Sequence, residues 1–275
     1  MTDITTRDRQ IPRFPTRLMV LACVAFTLLI ILVATVFFKS ESLQARVEHL
    51  TIQVRGATRE YRLVVPFSLQ GKRDQPMVIA LHGALDTTDE MAEYTQLDSI
   101  AAREGFLLVY LQGRLLNWPP SIPDENPDVA VPDLEFFDAI CDYFIDTYQI
   151  DANRVYLTGV SQGGGMCNLV VALRSERIAA AVCNCGWMPK PLDVNVLKTV
   201  NKCPILFIAG SQDKQVPFEV VLAASQCFEK EGHPVDFMKH PGGHGWNHEL
   251  GVNETLWKFL KDKRRETRQI ARVPE

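Results

Sequence analysis

Several kinds of feature are scarce or missing from these 275 residues, and each absence removes a class of protein. There is no basic run and no interleaving of aromatic with basic side chains, and the formal net charge is only −4, so a nucleic-acid-binding surface has nothing to build on. No stretch recurs with the roughly 20- to 50-residue period of solenoids and propellers. No Cys-x-x-Cys pair or Cys/His cluster has the spacing of a zinc site, so no metal is expected. Charge is not in excess either: 23% charged against 47% hydrophobic residues is the balance of a globular chain, not of a disordered one. The length fits one large α/β domain or two small ones.

One segment is at odds with a soluble fold. Leu18 to Phe38, "LMVLACVAFTLLIILVATVFF", carries no charge and is long enough to cross a bilayer as a helix. A buried core helix would show a polar face, and this one has none. Only a poor small-residue cleavage candidate follows it, Ser40-Glu41-Ser42, so an uncleaved signal-anchor is expected. Arg7, Arg9, Arg13 and Arg17 precede the run, against Lys39, Arg46 and Arg55 after it. That excess favours the N-terminus inside and the main domain outside, in the periplasm or beyond the cell. Of the seven cysteines Cys23 lies within the run; the other six could pair in an oxidising compartment. However, Cys183 and Cys185 alternate along an apolar strand and Cys167 falls on an apolar helix, so buried free thiols are the preferred expectation.

From about residue 50 the patterning changes. "LTIQVRG" and "REYRLVVP" alternate apolar and polar residues, as a half-buried hairpin does. "PMVIALHG" (76–83), "FLLVYLQG" (106–113), "RVYLTG" (154–159), "AAAVCNC" and "PILFIAG" (204–210) are short apolar runs, as strands buried on both faces would be. Helical stretches separate them: Asp89 to Glu104, a helix capped by Asp133 and running to Tyr148, "GMCNLVVALRSE", and Glu219 to Glu231. Strand "VDFMKHP" and helix "NETLWKFLKDKR" close the chain, and the proline-rich 114–132 reads as a loop. Strands alternating with helices predict a mostly parallel sheet covered on both faces. Ligands of such sheets bind at the carboxyl ends of the strands.

That is where "TGVSQGGG" (158–165) lies. Ser161 stands between glycines at a strand-to-helix turn, the context of a nucleophile elbow. The glycines let backbones approach closely, and the helix N-terminus behind them offers free N–H groups to a developing oxyanion. A serine hydroxyl needs a base to take its proton, and the base needs an orienting acid. In this chain order those partners follow the serine. Asp213, in the turn after strand 204–210, is the candidate acid, with Glu219 a weaker rival inside the next helix. His244, in "HPGGHGW", is the candidate base; His240 at a strand end and His248 at the start of the final helix compete with it. Two backbone donors for the oxyanion are expected at Gln162 and, from "LHGALDT" (81–87), at Ala84.

The blocks "RGATREYRLVVP", "LHGALDTTDEMAEYTQLDSIAAREGFLLVYLQG", "IDANRVYLTGVSQGGGM", "AGSQDKQVPF" and "GGHGW" together resemble the polyhydroxybutyrate depolymerase and feruloyl esterase group of α/β-hydrolases, over residues 50 to 262. The resemblance implies the α/β-hydrolase fold and a cofactor-free serine carboxylesterase with Ser161, Asp213 and His244 as its triad. Gln162 departs from the asparagine common there, and "GGHGW" lacks the proline that often follows the tryptophan. The expected layout is a cytoplasmic tail (1–17), a transmembrane helix (18–38) in contact with the lipid bilayer, a juxtamembrane linker (39–50), a catalytic domain (51–265) and a tail (266–275). The expected partner is a small or polymeric ester, with no nucleic acid and no protein partner. A peptidase or thioesterase using the same residues, and a non-catalytic anchored binding module, are the alternatives.

Overall fold

A computed structural model describes residues 44–119, 131–188 and 201–265. The apolar run 18–38 and the tail 266–275 lie outside the described residues, as do most of the proline-rich loop and residues 189–200. Among the described residues no helix is long and apolar enough to cross a membrane.

The chain builds one eight-stranded sheet. β1 (Ala45–Val54) and β2 (Ala57–Pro66) form the antiparallel hairpin expected from their alternation, in register from Ala45↔Pro66 to Val54↔Ala57. Its two-residue turn places Arg55 and Gly56 at φ 47° and 78°, the left-handed pair that matches strand twist. β2 then pairs antiparallel with β4 (Leu107–Leu111). Beyond it, β3 (Gln75–Leu81), β5 (Ile150–Val160), β6 (Ala180–Asn184), β7 (Ile205–Gly210) and β8 (Val235–His240) are all parallel, in the order β1-β2-β4-β3-β5-β6-β7-β8. β1 starts at Ala45, so residues 45–50, expected as linker, belong to the sheet.

Among the described residues six helices cover both faces: α1 (Thr88–Thr95), α2 (Leu97–Glu104), α3 (Val131–Tyr148), α4 (Gln162–Arg174), α5 (Phe218–Lys230) and α6 (Val252–Leu260). Met77, Ile79 and Leu81 of β3 point into a core with Phe137, Ile140 and Phe144 of α3, while Val78 and Ala80 point into a second core with Leu97 and Leu256. Two apolar faces on one strand are the physical reason for the unbroken apolar runs.

Two local expectations need correction. The stretch Asp89–Glu104 is two helices, because Gln96 adopts a left-handed conformation (φ 54°) that ends α1 and begins α2. Asp133 does not cap α3. It lies in the first turn of the helix, which starts at Val131, and its carboxylate is taken by Arg59 at 2.7 Å in a buried ion pair. Cys141, Cys167, Cys183, Cys185 and Cys203 are buried free thiols, whereas Cys227 is exposed.

Candidate active site

Ser161 occupies the single residue between β5 and α4, with φ 56° and ψ −119°. For a residue with a side chain this conformation costs on the order of 1–3 kcal/mol, and it persists only where its surroundings enforce it. They do so through close backbone packing. A side chain at Gly163 would run into the carbonyl oxygens of Leu81 and His82; one at Gly159 would meet the Gly163 carbonyl; one at Gly164 would meet Asn184 and Gly186. The Ser161 amide donates to the Asn184 carbonyl at 3.0 Å, and the Ser161 carbonyl accepts the first helical bond from Gly165 at 3.0 Å. The hydroxyl is thereby raised above the carboxyl edge of the sheet.

Asp213 and His244 reach the same edge from β7 and β8. The Asp213 side chain is fully buried. Its Oδ1 accepts the backbone amides of Gln215 and Val216, both at 2.8 Å, and its Oδ2 lies 2.7 Å from His244 Nδ1. A carboxylate against Nδ1 makes that nitrogen the donor. Nε2, 2.9 Å from Ser161 Oγ, is then free to accept the serine hydrogen. Gly210 at the end of β7 lets the loop before His244 approach closely, since a side chain there would collide with the carbonyls of Gly242 and Gly243.

The rival residues stand outside this chain. His240 is buried at the end of β8, where its Nδ1 accepts the Gly242 amide at 3.1 Å, and burial holds its pKa below the usual histidine value. His248 does not start the final helix as expected: it sits in a short 3₁₀ turn that Gly251, at φ 75°, separates from α6, and Glu219 is exposed in the first turn of α5.

Two loops flank the hydroxyl. Gln162 opens α4, and its side-chain Oε1 accepts the Trp118 amide at 3.0 Å. The loop after β3 passes so close that a side chain on Gly83 would sit 3.8 Å from Ser161 Cβ. Ala84 follows, exposed, and the Leu85 amide then donates to the Leu116 carbonyl at 2.8 Å. Leu85, Leu115 and Leu116 are all exposed despite φ values of 59°, 50° and 62°, which gives this part of the edge an apolar character.

Sequence reasoning missed His82, Trp118 and Asp86. His82 is fully buried, with Nδ1 2.6 Å from the Gly83 carbonyl and Nε2 accepting the Gly113 amide at 2.9 Å. Trp118 donates its indole N–H to the His82 carbonyl at 2.9 Å. Asp86 accepts the Tyr94 hydroxyl at 2.8 Å, and burial pushes its carboxyl above the usual range. The one available signal was His82 itself, a polar residue at the end of a wholly apolar strand run.

Among the described residues, Cys185, Asp213 and His244 bring their donor atoms close enough together for a metal. The set does not suit one. Both His244 nitrogens are engaged, and burial pushes the Cys185 thiol up to about 12, which disfavours a thiolate ligand.

Residues 130–246 match the family model described as serine hydrolase (FSH1). A protein of Nocardia uniformis subsp. tsuyamanensis that bears an esterase name, NocK, is 29% identical over 171 residues, which is 61% of this chain and 49% of that one. Feruloyl esterase B of Neurospora crassa is 32% identical over 112 residues, 40% of this chain and 38% of its own. The chain spans about half the length, or less, of these curated relatives. Among solved structures, a ferulic acid esterase superposes with TM-score 0.60 at 17% identity, covering 80% of this chain and 97% of its own. A thermostable esterase superposes with TM-score 0.62 at 23% identity, covering 80% and 63%. The fold is that of the α/β-hydrolases, and the resemblance to serine esterases read from the sequence blocks holds.

Proposed function

We propose that the protein is a serine carboxylic ester hydrolase, held at a membrane by residues 18–38 with its catalytic domain on the extracytoplasmic side. The observation that carries the chemistry is the unbroken chain from Ser161 Oγ through His244 to Asp213 Oδ2, with links of 2.9 and 2.7 Å. In this reading Ser161 Oγ attacks the ester carbonyl as its proton passes to His244 Nε2. The negative charge on the carbonyl oxygen is met by the amides of Gln162 and Ala84. Collapse of the tetrahedral intermediate breaks the bond to the alcohol, which leaves with the proton from His244, and an acyl group remains on Ser161. Water then attacks the acyl-enzyme with His244 again as base, releasing the carboxylic acid and restoring the serine. Asp213, held by two backbone amides, keeps the imidazole in the productive tautomer.

The substrate class we assign is short or compact acyl esters of feruloyl, acetyl or hydroxybutyrate type. The feruloyl esterase name of the Neurospora crassa relative supports it. A panel of short p-nitrophenyl esters, methyl ferulate, acetylated xylan, hydroxybutyrate oligomers, long-chain triglyceride and peptides tests the assignment. Fast turnover of the compact esters is expected; preference for peptides or long-chain triglyceride would overturn it. Membrane placement rests on the apolar run and the arginines before it. A reporter active only in the cytoplasm should stay silent when fused to the C-terminus, and a strong signal would reverse the topology.

A further inference from the structure

The hydrogen bonds around His82 leave its ring one protonation state. Nε2 accepts the backbone amide of Gly113 at 2.9 Å, a donor that cannot reverse its role. Nε2 therefore carries no hydrogen, and the hydrogen of the neutral ring is on Nδ1. That N–H donates to the Gly83 carbonyl at 2.6 Å. The ring is fully buried, and burial lowers its pKa, so the neutral form is the resting one. It does not belong to the chain of groups that reaches Ser161, so it has no part in proton transfer there.

The carbonyl it holds has a particular neighbour. The Gly83 C=O and the Ala84 N–H belong to one peptide plane, and in a trans peptide they point in opposite directions. Anchoring the oxygen on one side fixes the direction of the hydrogen on the other. We infer that His82 is a positioning residue that aims the Ala84 amide at the oxygen of the reacting carbonyl, an inference that rests on reading Ala84 as an oxyanion donor.

The anchor is itself braced. The Gln112 side chain lies 2.8 Å from His82 Nε2 and accepts the Thr88 amide at the start of α1 at 3.1 Å. A side chain at Gly113 would run into the Asn117 carbonyl oxygen at 2.6 Å and press on His82 Nε2 at 3.2 Å, so the glycine lets this turn close beside the ring. Trp118 packs its ring 5.2 Å from that of His82, donates its indole N–H to the His82 carbonyl, and donates its backbone amide to the Gln162 side chain. The segment 112–118 thus ties Gln162 to the loop that carries Ala84, through His82 on one side of it and Leu85 on the other. A loose Ala84 amide would be a poor donor even with Ser161, His244 and Asp213 intact.

The test separates aim from mere folding. An asparagine amide can place an N–H where His82 Nδ1–H lies, whereas glutamine reaches only toward Nε2. His82→Asn should keep turnover within about fivefold of wild type. His82→Gln and His82→Leu should lose roughly 30- to 100-fold in kcat, a share of the 10²–10³ that one oxyanion donor supplies, with KM changed less than about threefold. An alkyl boronic acid, which forms a tetrahedral adduct on the serine, should bind the Gln and Leu variants more weakly by a similar factor. Retained kcat in folded His82→Gln and His82→Leu would overturn the inference. So would equal losses in all three variants that follow their melting temperatures. If His82→Leu fails to fold, nitrogen NMR of the wild-type imidazole still decides: a protonated Nδ1 is expected, and a protonated Nε2 overturns it. A wild-type protein that binds the boronic acid but hydrolyses no ester would strike the ester reading and leave the His82 comparison measurable by binding.

Discussion

Backbone conformations at the catalytic edge and in the rest of the domain differ in which residues carry them. Away from the edge, the side-chain-bearing residues with left-handed φ among the described residues are Arg55, Asp74, Gln96 and Gln149, all polar and all at turns or helix ends. Asp74 is of a type that tolerates the conformation, and all four side chains are exposed to water. At the carboxyl edge the corresponding residues are Leu85, Leu115, Leu116, Ser161 and Cys185. None of these types suits the conformation, and three are aliphatic. The polar set makes turns. The edge set holds loops close around one hydroxyl, and the folded core supplies the energy that keeps them there.

The largest effect should come from the residues that this edge brings together. Ser161→Ala or His244→Ala should lower turnover of a short p-nitrophenyl ester by about four powers of ten, with little change in melting temperature. His240→Ala and His248→Ala should cost far less. The comparison breaks if His244→Ala stays near normal while either of the others is lost.

Next in size is packing. Gly163→Ala should destabilise the domain by about 3 kcal/mol, because its methyl group meets the Leu81 and His82 carbonyls. Gly56→Ala, with open space around it but φ +78°, should cost about 1 kcal/mol. Urea unfolding of the pair measures the difference between backbone collision and conformational strain alone.

A pH effect follows from three buried histidines. Burial lowers the pKa of His82, His233 and His240 in the folded state. The unfolded chain therefore takes up protons at higher pH than the folded one, starting near the ordinary value of about 6.5. Stability from these groups is complete above that pH and is lost as the pH falls toward their folded values. The melting temperature should be flat from about pH 7 to 8 and fall below about 6.5. His233→Gln, remote from the site, should reduce that slope; an unchanged slope would remove His233 from the account.

The smallest effect concerns the rim. Leu115→Asn should leave stability unchanged or raise it by a few tenths of a kcal/mol, since asparagine tolerates left-handed φ and little apolar contact is lost at 94% exposure. A clear loss of stability on differential scanning calorimetry would mean that Leu115 is packed.

The difference between the two regions also marks what the sequence could reveal. The parallel sheet was legible because β3, β4 and β7 are apolar on both faces and so read as unbroken runs. Ser161, Asp213 and His244 stood out because each follows a strand that ends at the same edge, and the structure brings them into one hydrogen-bonded chain. The bracing of the site was not legible. The hydrogen bonds of His82, Gln112 and Trp118 reach groups up to 44 residues away, and no local pattern encodes such a contact. Asp133 was misread for a related reason: an acid near a helix start has the form of a cap, and only the fold shows that Arg59 on β2 claims it.

The proposed role of Ser161 as the nucleophile of an acyl transfer is tested most directly by mass spectrometry of the protein after a fluorophosphonate reaction. One adduct is expected, on the peptide containing Ser161, absent in Ser161→Ala and formed far more slowly in His244→Ala. An adduct on another residue, or none while ester hydrolysis proceeds, would contradict it.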